Sequence, residues 1–462
     1  MTLQEYLAAL KDKTVTVVGA GISNRPLIGL LAKAGVKKLV VCDKADSAAL
    51  GDFYTTYAAQ GVEFHLGENY LADIQADVIF RTPGMHPGHP ALQQAVAKGA
   101  CLTSEMEAFF ALCPCPVFAV TGSDGKTTTT TLIAELLKKA GRKVWLGGNI
   151  GHPLLAEVDS MTAEDVAVLE LSSFQLHSMT CRPAVAVVTN VAPNHLDVHP
   201  SYADYIEAKA AVFANQTPDG RLVLNLDNEV TRSFAARAKG QVRWFSRQSA
   251  VEEGVFCRED GVICAAEKGN ITEILPAGEL KIPGVHNVEN MMTAFAATAG
   301  YVSWEDMRFV ARSFTGVAHR LETVRVLRGV RYINDSIASS PSRTMAGLAC
   351  FGDKVILIAG GKDKGVPFDE LGEAICQHVK RLYLTGWTAQ VLQKAVQNAP
   401  SYQPGQPDIF VIDDFTQAVQ AAARDAQEGD VVLLSPACTS FDKFKNFEER
   451  GNTFRHIIEN LE

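Results

Sequence analysis

Short apolar runs recur along the chain, separated by glycine-punctuated stretches in which apolar residues return with a helical period. The runs Thr14 to Val18, Lys38 to Cys42 and Asp77 to Arg81 predict strands. An apolar helix from about Pro26 to Ala34 lies between the first two, stopped by Gly35. This pattern predicts a small parallel α/β unit, 1–107, with Asp43 delivered at the end of its second strand. After Cys113-Pro114-Cys115-Pro116 a second unit begins, 108–317. Val117 to Val120 is a buried strand, a helix follows from Thr127 to Ala140, and further strands are expected at Val166 to Leu171, Ala184 to Thr189 and Arg221 to Leu226. In 318–462, strands at Val330 to Ile333, Lys354 to Ala359, Arg381 to Leu384, Asp408 to Ile412 and Asp430 to Leu434 alternate with helices. That alternation needs right-handed crossovers and a parallel sheet. The expected fold is α/β in three domains: an N-terminal Rossmann-like nucleotide-binding unit, a central P-loop ATPase-like parallel sheet, and a C-terminal Rossmann-like domain.

Composition adds limits. The chain has 462 residues, 47% of them hydrophobic and 21% charged, which suits several packed cores with a wet surface. A formal net charge of −9 argues against a nucleic-acid partner, because backbone phosphates need clustered Lys and Arg. No run reaches the roughly 18 apolar residues of a membrane helix, and the first residues lack the apolar stretch of a secretion signal. The expectation is a cytoplasmic monomer without membrane insertion, its ten cysteines mostly buried and reduced.

Thr121-Gly122-Ser123-Asp124-Gly125-Lys126-Thr127-Thr128 follows a buried strand and opens a helix. Backbone N–H groups there can converge on phosphate oxygens, Lys126 adds a point charge, and the Thr127 hydroxyl suits Mg²⁺. The loop departs from the common pattern at Val120, where a glycine usually stands. Gly19-Ala20-Gly21-Ile22-Ser23-Asn24, with Asp43 further on, is a broken dinucleotide fingerprint; it leaves open a nicotinamide or flavin site or another nucleotide-bearing ligand on the same helix N-terminus. Glu170 ends a buried strand, where a carboxylate can ligate Mg²⁺ beside a P-loop. His195, in Asn194-His195-Leu196-Asp197, falls on the same sheet edge. Lys209 has Tyr205, Ile206, Val212 and Phe213 as its helix neighbours, so it either snorkels to water or is a neutral amine able to take up carbon dioxide. Asn287 and Asn290 begin another helix, and Arg320 and Asp335 stand at the entry to the last segment.

Together these residues resemble the Mur ligase family, over all three predicted domains. Gly147-Gly148-Asn149-Ile150-Gly151, Glu170-Leu171-Ser172-Ser173-Phe174-Gln175 and Gly284-Val285-His286-Asn287 belong to the likeness. The tail from Leu434 through Ser440 to Phe447-Glu448-Glu449-Arg450-Gly451 resembles the D-glutamate-adding member rather than its siblings. The resemblance implies an ATP-dependent ligase that joins UDP-N-acetylmuramoyl-L-alanine and D-glutamate through an acyl-phosphate. It implies that Gly122, Ser123, Asp124, Gly125, Lys126, Thr127 and Thr128 hold the ATP phosphates, and that Asn287, Asn290, Arg320 and Asp335 contact the rest of the nucleotide. Two Mg²⁺ ions are implied, one on Thr127 and Glu170, the other on His195 and a carbamylated Lys209. Gly21, Ser23, Asn24 and Asp43 would receive the uridine diphosphate, Asn149, Ser172, Ser173 and Gln175 would line the muramoyl-alanine path, and Lys364, Ser440 and Phe447 would position D-glutamate. One departure stands out: Ile337 occupies the place of the family's commoner lysine, so another cation, Arg343, is expected to face the D-glutamate side chain. The alternatives are a folylpolyglutamate synthase-like ligase, a nicotinamide-dependent oxidoreductase and a non-catalytic ATP-binding regulator.

Overall fold

The computed structural model describes residues 1–193, 199–282, 284–363 and 366–462. They form two compact units, Met1–Phe314 and Thr315–Glu462. The first unit holds two sheets. The smaller has five parallel strands in the order Glu63–Leu66, Lys38–Asp43, Thr14–Val18, Val78–Arg81, Cys101–Thr103. The helix Arg25–Ala34 carries Pro26 in its first turn and ends at Gly35, whose φ of 67° is the left-handed conformation that stops a helix at little cost in glycine.

The larger sheet runs Asn270–Pro276, Val262–Glu267, Gly254–Cys257, Gln241–Ser246, Arg221–Asn225, Val185–Val188, Val117–Thr121, Val166–Glu170, Val144–Gly148. The two strands from 262 to 276 are antiparallel, so this sheet is mixed and not the purely parallel one expected from the sequence. Val117–Thr121 lies in its interior, between Val166–Glu170 and Val185–Val188. A single core joins both sheets of this unit, with Val15, Val17, Leu27 and Phe109 in the same buried cluster as Ala119, Leu169, Tyr205 and Phe213. On the opposite face of the larger sheet, Leu132, Ile133, Leu136 and Leu137 of the helix Lys126–Lys139 pack with Met291, Met292 and Phe295 of Val285–Thr298. Each such side chain contributes about 1.5–3 kcal/mol, which clamps the start of the helix after Gly125 against the sheet.

The second unit has six strands in the order Glu322–Leu327, Val330–Asn334, Val431–Leu434, Val355–Gly360, Val379–Thr385, Asp408–Val411. Its first strand pairs antiparallel with the second, a hairpin added to the parallel sheet read from the sequence. Two cores cover its two faces.

Candidate functional site

The turn after Val117–Thr121 is built for close approach. Gly122 has φ 149°, and a Cβ there would lie 1.8 Å from the Thr189 hydroxyl; Gly125 has φ 75°, and a Cβ would lie 2.2 Å from Asn290 Oδ1. Only glycine fits either place. Thr189 Oγ1 donates to the Asp124 carbonyl at 2.6 Å and Asn190 Oδ1 accepts from the Asp124 amide at 3.0 Å, so the neighbouring strand end fixes the loop. Ser123 Oγ bonds Tyr205 and the Ala192 backbone. Lys126 Nζ donates to the Ser123 carbonyl at 2.9 Å, which keeps its charge over the loop. Asn290 Oδ1 accepts from Thr129 at 3.3 Å and its Nδ2 donates to Asn287 Oδ1 at 3.2 Å, which brings both amides beside the same loop. Thr128 occupies the third position of the helix that the loop opens.

Thr127 Oγ1 donates to Glu170 Oε2 at 2.7 Å, and Asn149 Nδ2 donates to Glu170 Oε1 at 2.8 Å. A buried hydroxyl and carboxylate side by side at a strand end form the all-oxygen donor set that a hard cation takes. Lys209 is 1% exposed and does not snorkel. Its Nζ donates to the Gly122 carbonyl at 2.7 Å and lies 4.5 Å from the centre of the Tyr205 ring. Burial first, and then the nearby Lys126 charge, hold its pKa well below the usual lysine range, with Asp124 and Glu170 opposing. His195 lies outside the described residues, as does Lys364.

In the smaller sheet, Asp43 accepts the Ala20 and Ala45 amides at 2.6 and 2.8 Å, which shapes the loop holding Gly21 and Ser23. Asn24 is buried and spends its Nδ2 on the Val18 and Gly19 carbonyls, while its Oδ1 has no partner. It therefore tightens the strand end where a third glycine would otherwise sit. Ser172 and Gln175 form a capping box on the helix Ser173–Leu176. The sequence reading missed Arg81. It is 1% exposed and donates to Ser178 Oγ, the Phe174 and Gln175 carbonyls and the Met85 carbonyl. It shares a cavity with Ser23, Asn24, Glu105, Gly148 and Gln175. Its placement at the end of a buried strand was the available signal. Glu105 is buried there, and burial pushes its carboxyl up to about 7.

In the second unit, His319 and Leu321 have φ of 63° and 42°, a strained turn that carries Arg320. Asp335 accepts from Ser435 Oγ at 2.8 Å and the Leu321 amide at 3.2 Å, and burial pushes its carboxyl up to about 7. Arg450, also missed, is buried and donates to Ser336 Oγ, the Ser336 carbonyl and the Cys438 carbonyl, which joins the loop after Asn334 to the one leading to Ser440. The Phe447 carbonyl accepts from Ser336, and its ring meets His319 edge-on at 5.9 Å. Arg343 is exposed and makes one long bond, 3.3 Å, to the Ile337 carbonyl. Ser340 is at the N-cap with its hydroxyl turned to Ser342 instead of the helix amides.

Two family descriptions match the chain: the Mur ligase middle domain over residues 120–298, and the Mur ligase glutamate ligase domain over 319–438. Among similar proteins, the UDP-N-acetylmuramoylalanine--D-glutamate ligase of Ruminiclostridium cellulolyticum is 50% identical over 99% of both chains. The enzyme of the same name from Acetivibrio thermocellus is 49% identical over 100% of this chain and 99% of its own. Solved structures of the same fold include the UDP-N-acetylmuramate-alanine ligase of Thermotoga maritima, with a TM-score of 0.55 at 16% identity over 97% of this chain and 99% of that one. The MurF ligase of the same organism, in complex with ADP, gives 0.51 at 18% identity over 98% and 96%.

Proposed function

The chain belongs to the Mur ligase family, and from that premise we propose that the site around Gly122–Thr128, Glu170 and Lys209 is where it forms its amide bond. The protein is an ATP-dependent ligase that adds D-glutamate to UDP-N-acetylmuramoyl-L-alanine in peptidoglycan precursor synthesis, through an acyl-phosphate. The observation that carries the site is the glycine cradle closed by Thr189 and Asn290, with Lys126, Thr127 and Glu170 at its mouth.

Loop amides and Lys126 receive the ATP phosphates. Thr127 and Glu170 would hold one Mg²⁺, and His195 with a carbamylated Lys209 the second. When bound, the ions neutralise the γ-phosphate so that a carboxylate can approach it. Lys209 is suited to the carbamate: a buried amine that stays neutral keeps the lone pair that attacks carbon dioxide, and one proton leaves as Nζ becomes a carbamate. The alanine carboxylate then displaces ADP from the γ-phosphoryl, and the D-glutamate amine displaces phosphate from the acyl-phosphate. Asn287, Asn290, Arg320 and Asp335 are assigned to the nucleotide, Gly21, Ser23, Asn24 and Asp43 to the uridine diphosphate, and Asn149, Ser172, Ser173 and Gln175 to the muramoyl-alanine. Lys364, Ser440, Phe447 and Arg343 are assigned to D-glutamate. The three sheets are read as three domains, 1–107, 108–317 and 318–462.

The test is to incubate the protein with ATP, Mg²⁺, UDP-N-acetylmuramoyl-L-alanine and a panel of D- and L-amino acids, measuring phosphate release and product mass. Phosphate release with D-glutamate, and a product heavier by one glutamyl residue, are expected. Turnover with L-glutamate on a folate acceptor, and none with the muramoyl substrate, would replace this reading with the folylpolyglutamate one.

A further inference from the structure

Away from the P-loop turn, three segments distant in sequence bring nitrogen and oxygen donors to one point. His86 comes from the loop that follows Val78–Arg81, His177 from the end of the helix Ser173–Leu176, and Asp204 from the first turn of the helix Tyr202–Ala214. His86 Nε2 lies 3.0 Å from His177 Nε2, which lies 2.9 and 3.0 Å from the two Asp204 oxygens. All three residues are half-buried, and their donor atoms fall within 4.8 Å of one another.

Hydrogen bonding alone does not satisfy this arrangement. The Gly88 amide donates to His86 Nδ1 at 3.0 Å, so a neutral His86 carries its proton on Nε2, pointing at His177. His177 Nε2 can accept that proton's bond or donate to Asp204, but one nitrogen cannot do both. In either tautomer one contact sets like against like: two N–H groups, or a lone pair against a carboxylate.

We propose that His86, His177 and Asp204 form a binding site for a borderline-soft divalent cation of the zinc class, held across the two sheets of the first unit. Two imidazole nitrogens and a carboxylate oxygen are a donor set such ions take. His177 Nε2 lies 3.0 Å from the His86 nitrogen and 2.9 Å from an Asp204 oxygen, so a small opening of these side chains brings them to the spacing of metal bonds of about 2.1 Å, with positions left for water. The outer contacts of a metal site are present too. His199 Nδ1 holds Asp204 Oδ2 at 2.6 Å, and its Nε2 bonds Ser173 at 3.0 Å, which orients the carboxylate. Uptake moves the His86 proton from Nε2 to Nδ1 and gives up the Gly88 contact, while all three donors turn lone pairs toward one charge. The bound ion fastens the loop after Arg81 to the helices that carry Ser173 and Lys209. This site uses none of the residues assigned to ATP or its magnesium, so it stands or falls separately from the ligase reading.

The test is a Co²⁺ titration of the full-length protein in excess Mg²⁺ without nucleotide, following visible absorption, with Zn²⁺ as competitor. One equivalent of Co²⁺ should give a band that Zn²⁺ removes, that persists in Lys209→Ala, and that is lost in both His86→Ala and His177→Ala. Zn²⁺ should raise the melting temperature of the wild type and of neither histidine variant, with their circular dichroism unchanged. No band, or a band of equal strength in folded His86→Ala, overturns the proposal. If His177→Ala unfolds, His86→Ala decides alone, because its ring lies on a loop.

Discussion

Lys209 is the side chain on which the proposed carbamate rests. An ammonium with 1% exposure and a backbone carbonyl as its hydrogen-bond partner loses hydration that one bond does not replace, so the neutral amine is favoured. Carbamylation would turn that neutral amine into an anion beside Lys126 and add an attraction between the two. Lys209→Ala is therefore expected to lose nearly all turnover and to recover part of it with short carboxylates that occupy the vacated space. ¹³C-labelled bicarbonate should give a carbamate resonance in the wild type that is absent in the variant. Wild-type turnover in Lys209→Ala would remove this role. The same reasoning about charge applies to Arg343. Its one long bond to Ile337 leaves most of its donors facing water, ready for an anion. Arg343→Ala should raise the KM for D-glutamate roughly ten- to a hundredfold, the equivalent of a charge-assisted contact of about 1.5–3 kcal/mol, and leave the KM for ATP little changed. An unaltered D-glutamate KM would point to another cation.

At the scale of elements, the strand-turn-helix from Val117 to Lys139 works because its turn has no side chains where Thr189 and Asn290 approach. Gly122→Ala places a carbon 1.8 Å from the Thr189 hydroxyl in a backbone region that disfavours it, so the turn must shift. The expected result is a loss of stability on the order of 2 kcal/mol by denaturant unfolding, together with loss of ADP binding by calorimetry. Retained ADP affinity would show that the cradle tolerates a Cβ. This element was legible in the sequence because everything defining it is local: buried strand, glycines, Lys-Thr, amphipathic helix. Lys209 was legible for the same reason, through its helix neighbours. Arg81 and the His86–His177–Asp204 cluster were not, since Arg81 reaches Phe174, Gln175 and Ser178, and His86 reaches His177, across 91 or more residues, and no short-range spacing encodes such contacts. The strands Asn270–Pro276 and Glu322–Leu327 escaped for a different reason. They lie at sheet edges and are mostly exposed or half-buried, so they lack the apolar run that marks an interior strand.

On the scale of the whole molecule, among the described residues each compact unit contains one buried carboxyl raised to about 7: Glu105 in Met1–Phe314 and Asp335 in Thr315–Glu462. Both are raised mainly by burial, so the folded state binds their protons more tightly than the unfolded chain does. Unfolding therefore releases protons between the unfolded value, 4.5 for Glu105 and 3.8 for Asp335, and the folded value near 7. Stability falls as pH rises through that window, and the cost is fully present only above about 7. For Glu105 the shift from 4.5 to about 7 corresponds to about 3 kcal/mol, an order-of-magnitude figure. Glu105→Gln keeps a neutral side chain of the same shape, and it should stabilise the first unit at pH values well above 7 while changing little near pH 4, where the wild-type carboxyl is already protonated. Asp335→Asn should do the same for the second unit. Hydrogen exchange read by mass spectrometry on peptides from each unit separates the two, because a gain confined to one unit slows only its own amides. A Glu105→Gln gain of equal size at both pH extremes would mean that the residue acts through packing and not through its proton.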